Sequence, residues 1–89
     1  MSEDKTLRII VLREGDTFIA QCLEYDIGTQ AEDMASLQDH MNFLIDCELE
    51  YSKRVGQPID QAPERFHNMW DEAVIQEDGG HEYRLLAAA

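Results

Sequence analysis

The sequence predicts a small α+β domain: a three- or four-stranded, mainly antiparallel sheet with one long helix packed on it and a second, short helix. Three observations carry this. Two β-branched and apolar runs, 6–13 (TLRIIVLR) and 17–23 (TFIAQCL), flank a Glu14-Gly15-Asp16 connection. From Met34 the apolar period changes, and Met34, Leu37, Met41, Leu44, Ile45 and Leu49 recur at helical steps. The chain has 89 residues, 44% of them hydrophobic, which suits one domain with a core of its own. A domain this small buries a modest share of its surface, so association into a homodimer is expected.

Taken in order, the first run is apolar on both faces and reads as a central strand. Gly15 can adopt the positive φ that a tight connection needs, so the second run returns antiparallel to the first. In it Phe18, Ala20 and Cys22 point to one face and Ile19, Gln21 and Leu23 to the other. A third, weaker strand is expected over 26–31, where Gly28 signals a bulge or a close approach by another element. Asp33 stands as the N-cap of the long helix, Lys53 and Arg54 suit its last turn, and Gly56 suits its stop. Residues 57–62 form a loop. Pro63 opens the short helix as an N1-type proline, with Phe66, Met69, Trp70 and Ala73 along the side that docks on the core. A turn over 77–81 precedes a possible last strand, 82–86, with Tyr83 and Leu85 on one face. The order is β-β-β-α-α-β in a single domain over 1–89: a core at 6–54, a helical extension at 63–74 and a strand or tail at 75–89. The alanines ending RLLAAA read as a frayed end, with a degradation-tag resemblance as the less favoured alternative.

Seven Lys and Arg stand against 19 Asp and Glu, a net charge of -12. Nucleic-acid binding draws on cations that displace counterions from phosphates, so direct contact with nucleic acid is disfavoured. The same charge favours a basic protein partner and speeds its arrival, or it serves solubility alone. Cys22 and Cys47 lie among apolar neighbours and are expected to be buried free thiols. The opening MSEDKT is polar, and no run approaches the ~18 apolar residues of a membrane helix, so a reducing cytoplasm is expected and no membrane contact.

The segment AQCLEYDIGTQA, preceded by a hairpin and followed by an acidic cap and a long helix, resembles the HicB family, the antitoxins of HicA–HicB systems and their stand-alone relatives. Phe18, Ala20, Cys22, Leu23, Glu24, Thr29 and Gln30 match the family outline; Ala31 stands where the family usually has glycine, and Asp33 where it often has threonine. The likeness runs from Leu7 to Leu49. It implies a partial ribonuclease-H-like fold and a module that masks a small, basic, RNA-cleaving HicA-like toxin. Two departures stand out. No helix-turn-helix or ribbon-helix-helix segment follows in this sequence, and 63–73 (PERFHNMWDEA) lies outside the minimal family core.

Glu24, Tyr25 and Asp26, at the end of the second strand, are the candidate partner-binding residues, an acidic rim with an amphipathic ring between the two carboxylates. The competing reading is a metal-dependent nuclease of degenerate ribonuclease-H type. Two-metal chemistry needs several carboxylates converging on ions about 4 Å apart. The first strand contributes none, and Asp46 and Glu48 diverge by about 200° around the helix. His40, His67 and His81 lack the spacing of a zinc site, and Ser36 with His40 is a weak nucleophile–base signal. Phe66 and Trp70 read as core. No catalytic, cofactor or metal residues are therefore assigned, and a free-standing oligomeric scaffold without a toxin is the third alternative.

Overall fold

The computed structural model describes residues 6–76 and 81–86. Five strands form one mixed sheet in the order β3-β2-β1-β5-β4. They are β1 (Arg8–Glu14), β2 (Thr17–Cys22), β3 (Gly28–Ala31), β4 (Val74–Gln76) and β5 (Glu82–Leu85), with α1 (Met34–Val55) and α2 (Glu64–Met69) between β3 and β4. β1 and β2 pair antiparallel from Ile9↔Cys22 to Glu14↔Thr17, and Gly15 turns the chain at φ 62°. β1 pairs parallel with β5, in register from Arg8↔Glu82 to Val11↔Leu85.

Two features differ from the sequence expectation. A fifth strand, β4, pairs antiparallel with β5 from Val74↔Leu85 to Gln76↔Tyr83. Three residues are too few to display a period-2 pattern, and Val74 and Ile75 are both exposed, so neither burial nor alternation marks them in the sequence. The parallel pairing also makes the sheet mixed, since the chain crosses through α1, α2 and β4 before β5 returns beside β1. The expected turn over 77–81 lies, but for His81, outside the described residues, as do the three terminal alanines.

The alternation of β1 sorts the core into two layers. Ile9 and Val11 join Ala20, Cys22, Leu37, Met41, Ile45 and Tyr83 beneath α1. Ile10 joins Leu23 and Trp70 on the other face, with Leu12, Phe66, Met69 and Ala73 packed around them. The sheet is thus covered on one face by α1 and on the other by α2 and the 3₁₀ turn Trp70–Glu72 that continues it. Buried Trp70 accounts for two arginines: the Arg84 guanidinium lies 4.3 Å from its ring centroid and donates to its carbonyl, and that of Arg8 lies 5.9 Å away.

The ends of α1 form as their residues dictate. Asp33 Oδ1 accepts from the Ser36 amide at 2.7 Å, and its Oδ2 from the Ser36 hydroxyl. These bonds hold the Asp33 carboxyl below its usual range. They also engage Ser36 in the cap, leaving no Ser36–His40 pair. Gly56 closes the helix at φ 72°, its amide donating to Ser52 O. Pro63 sits one position earlier than expected, at the N-cap of α2. Cys22 is buried as expected, and burial raises its thiol pKa. Cys47 is exposed instead, because its position on α1 lies outside the Leu37–Met41–Ile45 stripe that faces the sheet. Gly28 fulfils the expectation of a close approach: a Cβ there would stand 3.0 Å from Gln21 Oε1 and 3.2 Å from the Ala20 carbonyl.

Tyr83 joins β5 to α1. Its ring is fully buried, and its hydroxyl donates to Asn42 Oδ1 at 2.9 Å. Burial, with the negative charge that Cys22 and Asp39 can carry nearby, raises its pKa. Tyr83→Phe should cost about 0.5–1.5 kcal/mol by loss of that bond, and Tyr83→Ala about 3–5 kcal/mol by opening a cavity. Urea unfolding checks both; a Tyr83→Phe variant as stable as the parent would mean that the hydroxyl contributes nothing.

Candidate functional site

The residues singled out in the sequence occupy the connection between β2 and β3. Leu23 N–H donates to the Arg8 carbonyl, and the Glu24 carboxylate then takes the place of the next strand residue. Its Oε1 accepts from the Arg8 amide at 2.9 Å and its Oε2 from Arg8 Nε at 2.6 Å. Partial burial pushes the Glu24 carboxyl up, but the Arg8 amide and guanidinium outweigh it and hold it below the usual carboxylate value. Tyr25 is half-buried and packs on the α1-side core. Its carbonyl accepts from the Ile27 amide, a three-residue turn that aims Asp26 into solvent. Asp26 Oδ1 accepts from Gln21 Nε2 at 3.0 Å.

The structure therefore separates the two carboxylates by role. Glu24 is tied to Arg8 and fixes the rim, while Asp26 is exposed on it. What the sequence reading missed is the loop beside them. The Asp26 amide donates to the Asp60 carbonyl at 2.6 Å, and the Ala62 amide to the Leu23 carbonyl at 3.1 Å. The loop after α1 thus runs along the β2–β3 connection and sets exposed Asp60 next to Asp26. Ile59 packs inward on the core. Between this loop and the last turns of α1 lies a cleft of about 210 Å³ lined by Glu48, Tyr51, Ser52, Gln57, Pro58 and Ile59. One signal could have found it: Tyr51 lies off the apolar stripe of α1 and is 56% exposed.

The remaining candidates do not join this site. His40 is exposed near the start of α1. His81 Nδ1 accepts from the Leu7 amide at 3.1 Å, so it serves β1 and β5. His67 is half-buried on α2, with its Nε2 enclosed and unpartnered. Among the described residues no three His, Cys, Asp or Glu side chains converge as a metal site would require, and no helix is long and apolar enough to cross a membrane. Compared with known protein families, with curated proteins and with solved structures, the chain matches none.

The Glu24–Arg8 pair generates a pH prediction. A carboxyl whose folded pKa is depressed contributes stability that is complete above its unfolded value, about 4.3, and is lost as pH falls through the folded value. The pair is partly exposed, so its contribution falls in the surface range of about 0.2–1 kcal/mol. Glu24→Gln should lower stability by that amount at pH 7, and the difference should vanish toward pH 3 in urea titrations. A difference independent of pH would refute the ion pair.

Proposed function

We propose that this chain is a non-enzymatic protein-interaction module of the HicB-like class, with the partial ribonuclease-H-like fold that the resemblance implies. It binds a small basic protein, such as a HicA-like toxin, through the acidic rim at the β2–β3 connection. The arrangement of charge carries this reading. Among the described residues only Glu24 and Glu82 form ion pairs, with Arg8 and Arg84. Four arginines lie over the protein's own aromatic rings: Arg8 and Arg84 over Trp70, Arg13 over Phe18 and Arg65 over Phe66. They are engaged in packing, and of the four only Arg8 reaches the rim, where it pairs with Glu24 and leaves Asp26 unpaired among the described residues. Asp26, Asp60, Glu48, Asp46 and Glu50 stand exposed and form no ion pair among the described residues.

Such a field raises the encounter rate with a cationic surface and disfavours an anionic one. In this reading Asp26 and Asp60 meet the partner, Tyr25 supplies apolar rim contact, and Glu24 acts indirectly by holding the turn. Charge reversal is therefore placed at Asp26 and Asp60, since lysine at Glu24 would also break the Arg8 pair.

The test is capture from an extract of the source organism, followed by rate measurement on the captured protein. A basic polypeptide should be retained at low salt. Its association with Asp26→Lys/Asp60→Lys should be about tenfold slower and flatter in salt dependence. Retention of neutral or acidic proteins only, or binding indifferent to the double variant, would overturn the reading.

A further inference from the structure

The cleft at the end of α1 has the form of a receptor for one side chain. Its volume of about 210 Å³ is several times the roughly 30 Å³ share of one water molecule. One wall is α1 itself, where Glu48, Tyr51 and Ser52, three and four residues apart, stand side by side. The other wall is Gln57-Pro58-Ile59. The lining is thus an aromatic ring, two aliphatic surfaces, the polar Ser52 and Gln57, and the Glu48 carboxylate, which forms no ion pair among the described residues.

Both walls are held in place before anything binds. The Gly56 and Gln57 amides both donate to Ser52 O, at 2.9 and 3.2 Å, and the Ser52 hydroxyl donates back to Gln57 O. Pro58 has a fixed φ, Ile59 is seated on the core, and the Asp60 carbonyl is bonded to the Asp26 amide. A site ordered in advance loses less entropy on binding.

The electrostatics select the occupant. The cleft lies at the C-terminal end of a 22-residue helix, where the helix dipole presents partial negative charge. Lys53 and Arg54 follow Ser52 directly, and at about 100° per residue they project away from the cleft. A planar guanidinium on an aliphatic stem fits all three features: the stem on Pro58 and Ile59, the plane over Tyr51, the fork on Glu48.

We propose that this cleft receives an arginine side chain of the basic partner, one residue along the loop from the Asp26–Asp60 rim. The proposal rests on the reading that the partner is cationic and names where its anchoring residue enters. Neither an acidic peptide nor a phosphate group suits it.

The experiment is an amide NMR titration of the intact chain with N-acetyl-arginine amide. Uncharged N-acetyl-citrulline amide, of the same shape, is the control. Arginine amide should give saturable shifts of the Ser52, Gln57 and Ile59 amides, and citrulline amide should not. Glu48→Gln and Tyr51→Ala should each weaken the arginine response about three- to tenfold. Unchanged spectra elsewhere show that the variants remain folded, and Asp16→Asn, exposed in the β1–β2 turn and outside both cleft and rim, should alter affinity by less than either. Absence of saturable shifts, equal response to citrulline amide, or indifference to Glu48→Gln would each overturn the cleft assignment. The extract capture separates the two claims. A basic, salt-sensitive partner with a silent cleft leaves the rim reading standing, and a responsive cleft with no basic partner does the reverse.

Discussion

A strand buried on both faces dictates the architecture. Ile9, Ile10 and Val11 are consecutive and fully inaccessible, so β1 must have an apolar cover above and below and a paired strand on each side. One long helix cannot supply both covers. α1 takes the Ile9–Val11 side, and the segment from Phe66 to Ala73 takes the Ile10–Leu12 side. The second strand partner is β5, which brings Tyr83 beneath α1 and Arg84 across to Trp70. Residues beyond the resemblance to the HicB outline are thus structurally required, since without them Ile10 and Leu23 would face water. Burial of each such side chain contributes about 1.5–3 kcal/mol.

The same requirement places the loop that forms the candidate site. To reach the far face, the chain leaving α1 must pass around the end of the sheet, and it does so along the β2–β3 connection. Gly56 reverses it, and the Asp26–Asp60 and Leu23–Ala62 backbone bonds fasten it. An acidic rim and a rigid cleft at the C-terminus of α1 follow from that route. Charge then acts on a shape already fixed: the arginines lie over Trp70, Phe18 and Phe66, while Asp26, Glu48 and Asp60 remain exposed.

Much of the fold was legible because its signals are local. The Gly15 turn, the Asp33 and Gly56 caps, the Leu37–Met41–Ile45 stripe and the alternation of Phe18, Ala20 and Cys22 each depend on neighbours within a few residues. β4 was not legible, because its three residues are held only by pairing with a distant strand. Neither was the parallel β1–β5 pairing, which is a matter of chain path. Cys47 was misplaced because apolar neighbours in sequence are not neighbours around a helix. Of the site, Glu24, Tyr25 and Asp26 were identified as a group, but the division of labour within it needed Arg8, sixteen residues away, to be seen against Glu24. Of the cleft, only Tyr51 off the apolar stripe left a mark in the sequence; its second wall, Gln57–Ile59, is placed by the turn on Ser52 and by the Asp26–Asp60 backbone bond, which joins segments distant in sequence.

Other surfaces offer a partner apolar area, notably Phe43 on the outer side of α1 and Val74 and Ile75 on β4, the edge strand among the described residues, where strand addition is a known mode of binding. The proposed partner docks instead on the preformed acidic face. Hydrogen exchange of the chain with its captured partner distinguishes these positions most directly. Slowed amides within 24–27 and 51–62, with Phe43 and β4 unchanged, are the predicted footprint. Slowing confined to β4 or to the outer face of α1 would contradict the central claim.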